Sequence, residues 1–514
     1  MAEDSSRTGP VLPVGAVLAY AGPTVWDAMH HEGFLICDGL TLQVGAYSQL
    51  FAAIGTSNGG DGDEVFDVPD CQGAFLRGVD DGAKRDPDAT TRTEPAAGGA
   101  SGDKAGSIQG YATAMPRAKF GGSVAHLPTA KHEAYSTSRG NKLTEWNDNA
   151  VGVDVTGGGA ADSRPLNLAV DYLLKYKADL DFEPAGVVIP VAGAVSAKLS
   201  NWVLCDGKSY KKSDNPELAG AIGTANGGDN TLFNVPNYQG AFVRGTANGN
   251  PRDPDAKSRV PAAPGGNGGD RVGSFQAHAA ARPSGSPFEA QVAHLPTEGD
   301  VVEPVAGVGI AAWNDGSVSC DLASRGGDAE TRPQNLYVDW FVCATKSAGS
   351  TFPIGALIAV PGDPAPSGSS AEWLACDGSA YAVVDYNELY QAIGTAHGGT
   401  VGKFNVPDLR GRFLRGVDHG TRRDPDAQSR KQPAPGGATG DNIGSVQDWA
   451  TGKPEPSLTA QVPNLPTTDH QASAAIGARA HAAWNSGSVD VDLTGGDRET
   501  RPANVYVQWY IRAR

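Results

Sequence analysis

Apolar residues in this chain fall into short runs between glycines and prolines rather than into long stripes, the pattern of short buried strands joined by fixed turns. Such runs open with a Pro-x-Gly-like turn (LPVGAVLAY, IPVAGAVSA, FPIGALIAV), and others lead into Cys-Asp-Gly (FLICDG, WVLCDG, WLACDG). Helical spacing interrupts this in one place per copy. Tyr47, Leu50, Phe51 and Ile54 stand at i, i+3, i+4 and i+7, and Tyr386, Leu389, Tyr390 and Ile393 repeat that stripe. Asp385 followed by Glu388 reads as a capping box, and the middle copy starts at Asp214 with Pro216 in its first turn and Glu217 three residues on. Gly55, Gly223 and Gly394 stop the helices, where a left-handed residue is cheap only for glycine. The middle copy carries Asn215 and Ala219 in place of Tyr47 and Phe51, so its helix is expected to bury less apolar area.

These blocks belong to one unit written three times. Cys37 and Cys205 lie 168 residues apart and Cys205 and Cys376 lie 171 apart; Arg85, Arg252 and Arg423 are spaced by 167 and 171. Constant offsets at distant markers mean triplication of a whole unit, and the period is too long for a solenoid. Three domains are expected, at 12–176, 188–345 and 353–514, joined by linkers near 177–187 and 346–351. Ten extended residues reach at most about 35 Å, so neighbouring domains must lie close together. The expected fold is mainly β with short helices and long glycine-rich loops, an α+β arrangement.

One charged nonamer recurs as KRDPDATTR, PRDPDAKSR and RRDPDAQSR. The first acids, Asp86, Asp253 and Asp424, precede prolines and so favour extended backbone; the second acids, Asp88, Asp255 and Asp426, follow across a turn. Arginines flank them: Arg85 and Arg92, Arg252 and Arg259, Arg423 and Arg430. Two acids beside two guanidiniums can satisfy each other, whereas a calcium loop needs more oxygen ligands and fewer adjacent cations. The nonamer is therefore read as a structural clamp, one per unit. GGDGDE from Gly59 also suggests calcium, but its counterparts lack the acids, which favours a solvated loop. His126 and His294 match each other, yet the third copy has Asn464. The pairs Trp146–Asn147, Trp313–Asn314 and Trp484–Asn485 could stack on and hydrogen-bond to a sugar, but the apolar area that a buried aromatic contributes favours core tryptophans.

Composition narrows the function. A net charge of −17 disfavours nucleic acid and anionic membrane surfaces. No run reaches the roughly 18 apolar residues of a membrane span. The start, MAEDSSRTGP, lacks the basic and apolar regions of a signal peptide, which fits cytoplasmic assembly. Cys37, Cys205 and Cys376 share one context, and the third unit has no second cysteine, so that position needs only a small buried thiol. No Gly-x-Ser-x-Gly elbow, HExxH or Walker loop is present, and the paired acids have arginines beside them, which unfits them as general acids. No catalytic residue, cofactor or metal ligand is assigned, and the chain is read as non-enzymatic.

The opening strand, the Cys-Asp-Gly, YSQLFAAIGTSNGGDG, FNVPDLRGRFLRGVDHG and the closing ETRPANVYVQWYIRA resemble the phage tail collar family, and the agreement covers all three units. The resemblance implies a structural piece of a phage tail, tail fibre or phage-like contractile injection particle, of a kind that typically forms trimers, so that three tandem units are expected to be able to close into a pseudo-threefold ring. It implies partners among other tail, baseplate or fibre proteins, with capping or joining as the role. The alternative it implies is a fibre tip that binds a receptor or cell-surface glycan; a glycan-trimming hydrolase is the weakest reading. Some related tips hold metal through His-x-His, but the corresponding stretches here read GYATAMP, AHAAARP and DWATGKP, so metal is not carried over.

Overall fold

The computed structural model describes residues 12–21, 33–114, 120–124, 151–157, 163, 165, 167–177, 185–192, 201–281, 288–292, 318–325, 331, 333, 335–345, 352–361, 372–452, 458–462, 489–495, 500, 502 and 504–514. Among these residues the fold is mainly β, with three seven-residue α-helices: α1 (Ser48–Ile54), α2 (Pro216–Ile222) and α3 (Asn387–Ile393). The hydrophobic runs become short strands as their patterning requires. The main body is a 16-stranded sheet, accompanied by a closed six-stranded barrel and small two- and three-stranded ribbons.

The strand partners show how the repeats are joined. Each opening strand (Val17–Tyr20, Val187–Val191, Leu357–Val360) runs antiparallel to the closing strand of its own repeat (Asn167–Lys175, Asn335–Cys343, Asn504–Arg512). Each closing strand also pairs in parallel with a four-residue Phe-x-Arg-Gly strand of the following repeat. Asn167 stands opposite Phe242, Asn335 opposite Phe413 and Asn504 opposite Phe75. The exchange thus runs from repeat one to two, two to three and three back to one. The barrel is built the same way, since its strands Gly121–Val124, Val151–Gly157, Phe288–Val292, Val318–Arg325, Thr459–Val462 and Val489–Gly495 each have both neighbours in other repeats.

One hydrophobic core serves all three repeats: Leu50, Ile54 and Phe66 belong to the same buried cluster as Leu218, Ile222 and Phe233 and as Leu389, Ile393 and Phe404. The helices bury the expected stripe, with Phe51 against Phe66 at 5.3 Å and Tyr390 against Phe404 at 5.6 Å between ring centres. Helix α2 has Ala219 at that place and no such ring pair. Gly55, Gly223 and Gly394 cap the C-termini at φ 55°. The expected capping box does not form. Tyr386, not Asp385, is the N-cap of α3, and no side chain caps it, because the Asp385 N–H is already used in the preceding turn with the Ala382 carbonyl. Helix α2 likewise begins after Asn215 rather than at Asp214, with Pro216 in its first turn.

Candidate functional site

The Phe-x-Arg-Gly strand carries three features that its sequence makes possible. Alternation puts Phe and Arg on one face and the middle Leu or Val on the other. Phe75, Phe242 and Phe413, one from each repeat, form a single buried cluster. Gly78, Gly245 and Gly416 let a neighbouring backbone come close: a Cβ on Gly245 would stand 2.1 Å from the Cys71 carbonyl oxygen, and equivalent collisions occur with Leu409 and Tyr238. Arg77, Arg244 and Arg415 are fully buried. Each guanidinium lies over a phenylalanine of another repeat: Arg77 over Phe413 at 5.2 Å, and Arg244 over Phe75 and Arg415 over Phe242 at 5.1 Å. Each Nε–H also donates to a carbonyl of that same repeat, of Gly411, Gly73 and Gly240 respectively.

The charged nonamers close over these buried arginines. In the third copy Arg430 donates from Nε at 2.9 Å and Nη2 at 2.6 Å to Asp424 Oδ2, and Arg415 Nη1 lies 3.7 Å from the same oxygen. Asp86 meets Arg92 and Arg77 in the same way, and Asp253 meets Arg259 and Arg244. Gln109, Gln276 and Gln447, from the GSIQ, GSFQ and GSVQ blocks, accept from the buried arginines. Burial alone would raise the Asp253 pKa, but Arg244 and Arg259 outweigh it and hold the carboxyl below the usual range. Asp88, Asp255 and Asp426 each precede a single 3-10 turn, and the Asp88 and Asp426 N–H groups donate to Asp86 and Asp424.

The outer arginine of each nonamer does something the sequence reading did not foresee. Instead of neutralising an acid beside it, it reaches into another repeat. Arg85 pairs with Asp408 at 2.6 Å and Arg252 with Asp70 at 2.9 Å. Arg423 meets Asn237 at the equivalent place, so it donates to the backbone carbonyls of Asn237 and Gln239 instead. Burial, only partly offset by Asp418, depresses the Arg423 pKa. Beside Asp408, Arg410 adds a second ion pair and Arg412 a bond to the Asp408 carbonyl. Burial, then the neighbouring Arg85, lowers the Arg412 pKa to about 10.

The structure therefore brings Arg85, Asp86 and Arg92, and their counterparts Arg252, Asp253 and Arg259 and Arg423, Asp424 and Arg430, to the boundaries between repeats. The buried arginines Arg77, Arg244 and Arg415 were missed from sequence, although each precedes its aspartate by nine residues in every copy. Trp146, Asn147, Trp313, Asn314, Trp484, Asn485, His126, His294 and Asn464 lie outside the described residues. In the GGDGDE loop Asp61 accepts the N–H groups of Asp63, Glu64 and Val65, an internal turn cap. Among the described residues no three His, Cys, Asp or Glu side chains converge as a metal set, and no helix is long and apolar enough to cross a membrane.

Comparison with known proteins gives this arrangement a family. The family model described as Phage Tail Collar Domain matches residues 15–76, 186–243 and 355–414, each match ending inside or at the Phe-x-Arg-Gly strand and short of the charged nonamer. Protein RhiB of Rhizobium leguminosarum bv. viciae is 32% identical over 207 residues, which cover 34% of this chain and 90% of RhiB. The StfE protein of Escherichia coli (strain K12) is 32% identical over 119 residues, covering 23% of this chain and about half (52%) of StfE. With three family matches in series and nearly all of one relative covered, the chain belongs to the phage tail collar domain family and carries three copies of that domain.

Proposed function

We propose that this protein is a non-enzymatic structural piece of a phage tail or phage-like contractile injection particle, a pseudo-threefold ring made from one chain that caps or joins tail, baseplate or fibre parts. The observation that carries this reading is the cyclic strand exchange, in which each closing strand is completed by the next repeat and the third is completed by the first. An association that otherwise needs three chains becomes intramolecular, and the ring closes after three contacts of one kind. In this reading the repeats 12–176, 188–345 and 353–514 are units of assembly that depend on one another for folding, and the Arg–Asp sets are the clamps that lock each boundary. Light scattering is expected to give one chain of 52.9 kDa per particle in solution. Particles purified from cells lacking the chain are expected to miss a tail component that electron microscopy can see. Intact particles that never contain the chain would overturn the proposal.

A second reading, a glycan-binding fibre tip, is favoured by one observation. The terminal barrel pairs Val124–Val489, Val151–Val292 and Val318–Val462 stand at one rim, and the stretches with the three Trp-Asn pairs begin and end there. A glycan array probes it: binding that weakens when Trp146, Trp313 and Trp484 are replaced by alanine supports a tip, and the absence of binding removes it.

A further inference from the structure

Repeat one differs from the others in one buried thiol. Cys37, Cys205 and Cys376 hold equivalent places, and the residues across from them are Cys71, Tyr238 and Leu409. The isolated bridge Asp38–Asp70, continued by one residue, sets Cys37 opposite Cys71 on antiparallel backbone, and the Cys71 N–H donates to the Cys37 carbonyl at 3.0 Å. Opposed residues on such backbone hold their Cβ atoms about 4.5–5.5 Å apart, and disulfides form at about 3.5–4.5 Å, a gap that a small backbone shift closes. Both thiols are free and buried. The Cys71 thiol bears directly on Cys37: burial first, then a hydrogen-bond contact with Cys71, pushes the Cys37 thiol well above its ordinary pKa.

What Cys71 sits in matters as much as what it faces. Its neighbours form the surface that receives repeat two. Arg252 donates to the Asp70 carboxylate, the Asp70 carbonyl and the Gln72 carbonyl, Asn250 donates to Asp70, and the Cys71 carbonyl is the group against which Gly245 packs. Cys37 directly follows the strand Phe34–Ile36, which is paired to the closing strand of repeat one. We propose that Cys37 and Cys71 are a disulfide-forming pair, a redox latch that pins the segment receiving repeat two to the sheet of repeat one. With a small-molecule disulfide such as glutathione disulfide as oxidant, the Cys37 and Cys71 thiols give one protein disulfide and two glutathione thiols. Two S–H bonds and one S–S bond break, one S–S bond forms, and both protons end on glutathione. Because the thiolate is the nucleophile, a thiol held protonated by burial reacts slowly in the folded chain and faster while the chain is folding.

The test uses the full chain. One sample is held folded with glutathione disulfide; another is refolded from denaturant in the same buffer. After alkylation and proteolysis, mass spectrometry is expected to find the linked Cys37–Cys71 peptide in the refolded sample first, with a higher melting temperature than the reduced chain. Both effects should vanish in C71L, which installs the residue repeat three has as Leu409, and in C71S. Alkylated, unlinked Cys37 and Cys71 in both samples would overturn the pair. A linked peptide with no shift in melting temperature or unfolding rate would overturn the latch.

Discussion

Replacing Arg430 and Arg423 separately by alanine separates a buried charge pair from a boundary contact. Arg430 and Asp424 have no side-chain exposure, and Arg430 places two donors on one oxygen of Asp424. Without it, Asp424 loses its nearest guanidinium and keeps Arg415 at 3.7 Å, the Asp426 N–H at 3.0 Å and Gln447 at 3.4 Å. Removing one partner of a buried ion pair in this way costs about 3–5 kcal/mol. Arg423 bonds two carbonyls at 3.0 and 3.2 Å and lies over Phe275 at 5.7 Å, so its loss leaves no unpaired carboxylate and costs about 1–2 kcal/mol. The clamp thus ranks the inner arginine above the outer by about 2–3 kcal/mol, whereas mutual neutralisation within the nonamer would make them equal. Urea unfolding followed by tryptophan fluorescence measures both, with unchanged slope required for comparison. Equal losses, or a larger loss for Arg423→Ala, would refute the assignment. A fall in melting temperature of the unmodified protein on adding a chelator would point to a metal loop instead.

Three further outcomes are expected. His397 is buried, with its Nε2–H on the Ala192 carbonyl of repeat two at 2.7 Å, and burial, partly offset by that bond, lowers its pKa to about 4. The folded chain therefore binds fewer protons than the unfolded one between pH 4 and the ordinary value of about 6.5, so stability should fall by about 2–3 kcal/mol as pH drops through that window. His397→Asn, which installs the residue found at Asn58 and Asn226, should remove that slope in pH-dependent melting. An apolar cavity of about 30 Å³ is lined by Leu76, Val243 and Leu414; Val243→Leu adds the methylene the other two repeats already have and should raise stability by about 0.5–1 kcal/mol in urea unfolding. Gly245→Ala should destabilise the fold by more than 3 kcal/mol, because the close contact is with backbone that cannot rotate away; a melting temperature within a degree of the parent would contradict the packing described at that boundary.

The apolar stripe of α1, the glycine stops and the strand blocks were legible because each depends on residues close in sequence. The choice of strand partner was not. A Phe-x-Arg-Gly strand meets three closing strands of nearly the same pattern, SRPLNLAVDY, TRPQNLYVDW and TRPANVYVQW, and periodicity cannot say which copy pairs with which. For the same reason Arg77, Arg244 and Arg415 gave no sign of burial, since what covers each is a phenylalanine ring from another repeat. The outer arginines Arg85, Arg252 and Arg423 were misjudged by proximity: the nearest acids in sequence are not the nearest in space once the repeats interlock.

The three boundaries also differ in a way that follows from chain connectivity. Continuous chain joins repeat one to two and repeat two to three, and it holds those partners at high effective concentration. No linker runs from repeat three back to repeat one, so that boundary must be held by contacts alone, against the entropy of closing the whole chain. It is there that Asp408 of repeat three takes Arg85 of repeat one, while Arg410 and, through the Asp408 carbonyl, Arg412 hold that aspartate from within its own repeat. Burial works to raise the Asp408 pKa, but the bonds from Arg410 and Arg85 outweigh it and hold the carboxylate charged. The boundary between repeats one and two has the single pair Arg252–Asp70 from this set, and the boundary between two and three has Asn237 and no carboxylate there. The three-to-one and one-to-two boundaries thus carry one crossing ion pair of this set each, and among the described residues it is at the boundary without a covalent link that the accepting carboxylate is backed by a further arginine of its own repeat.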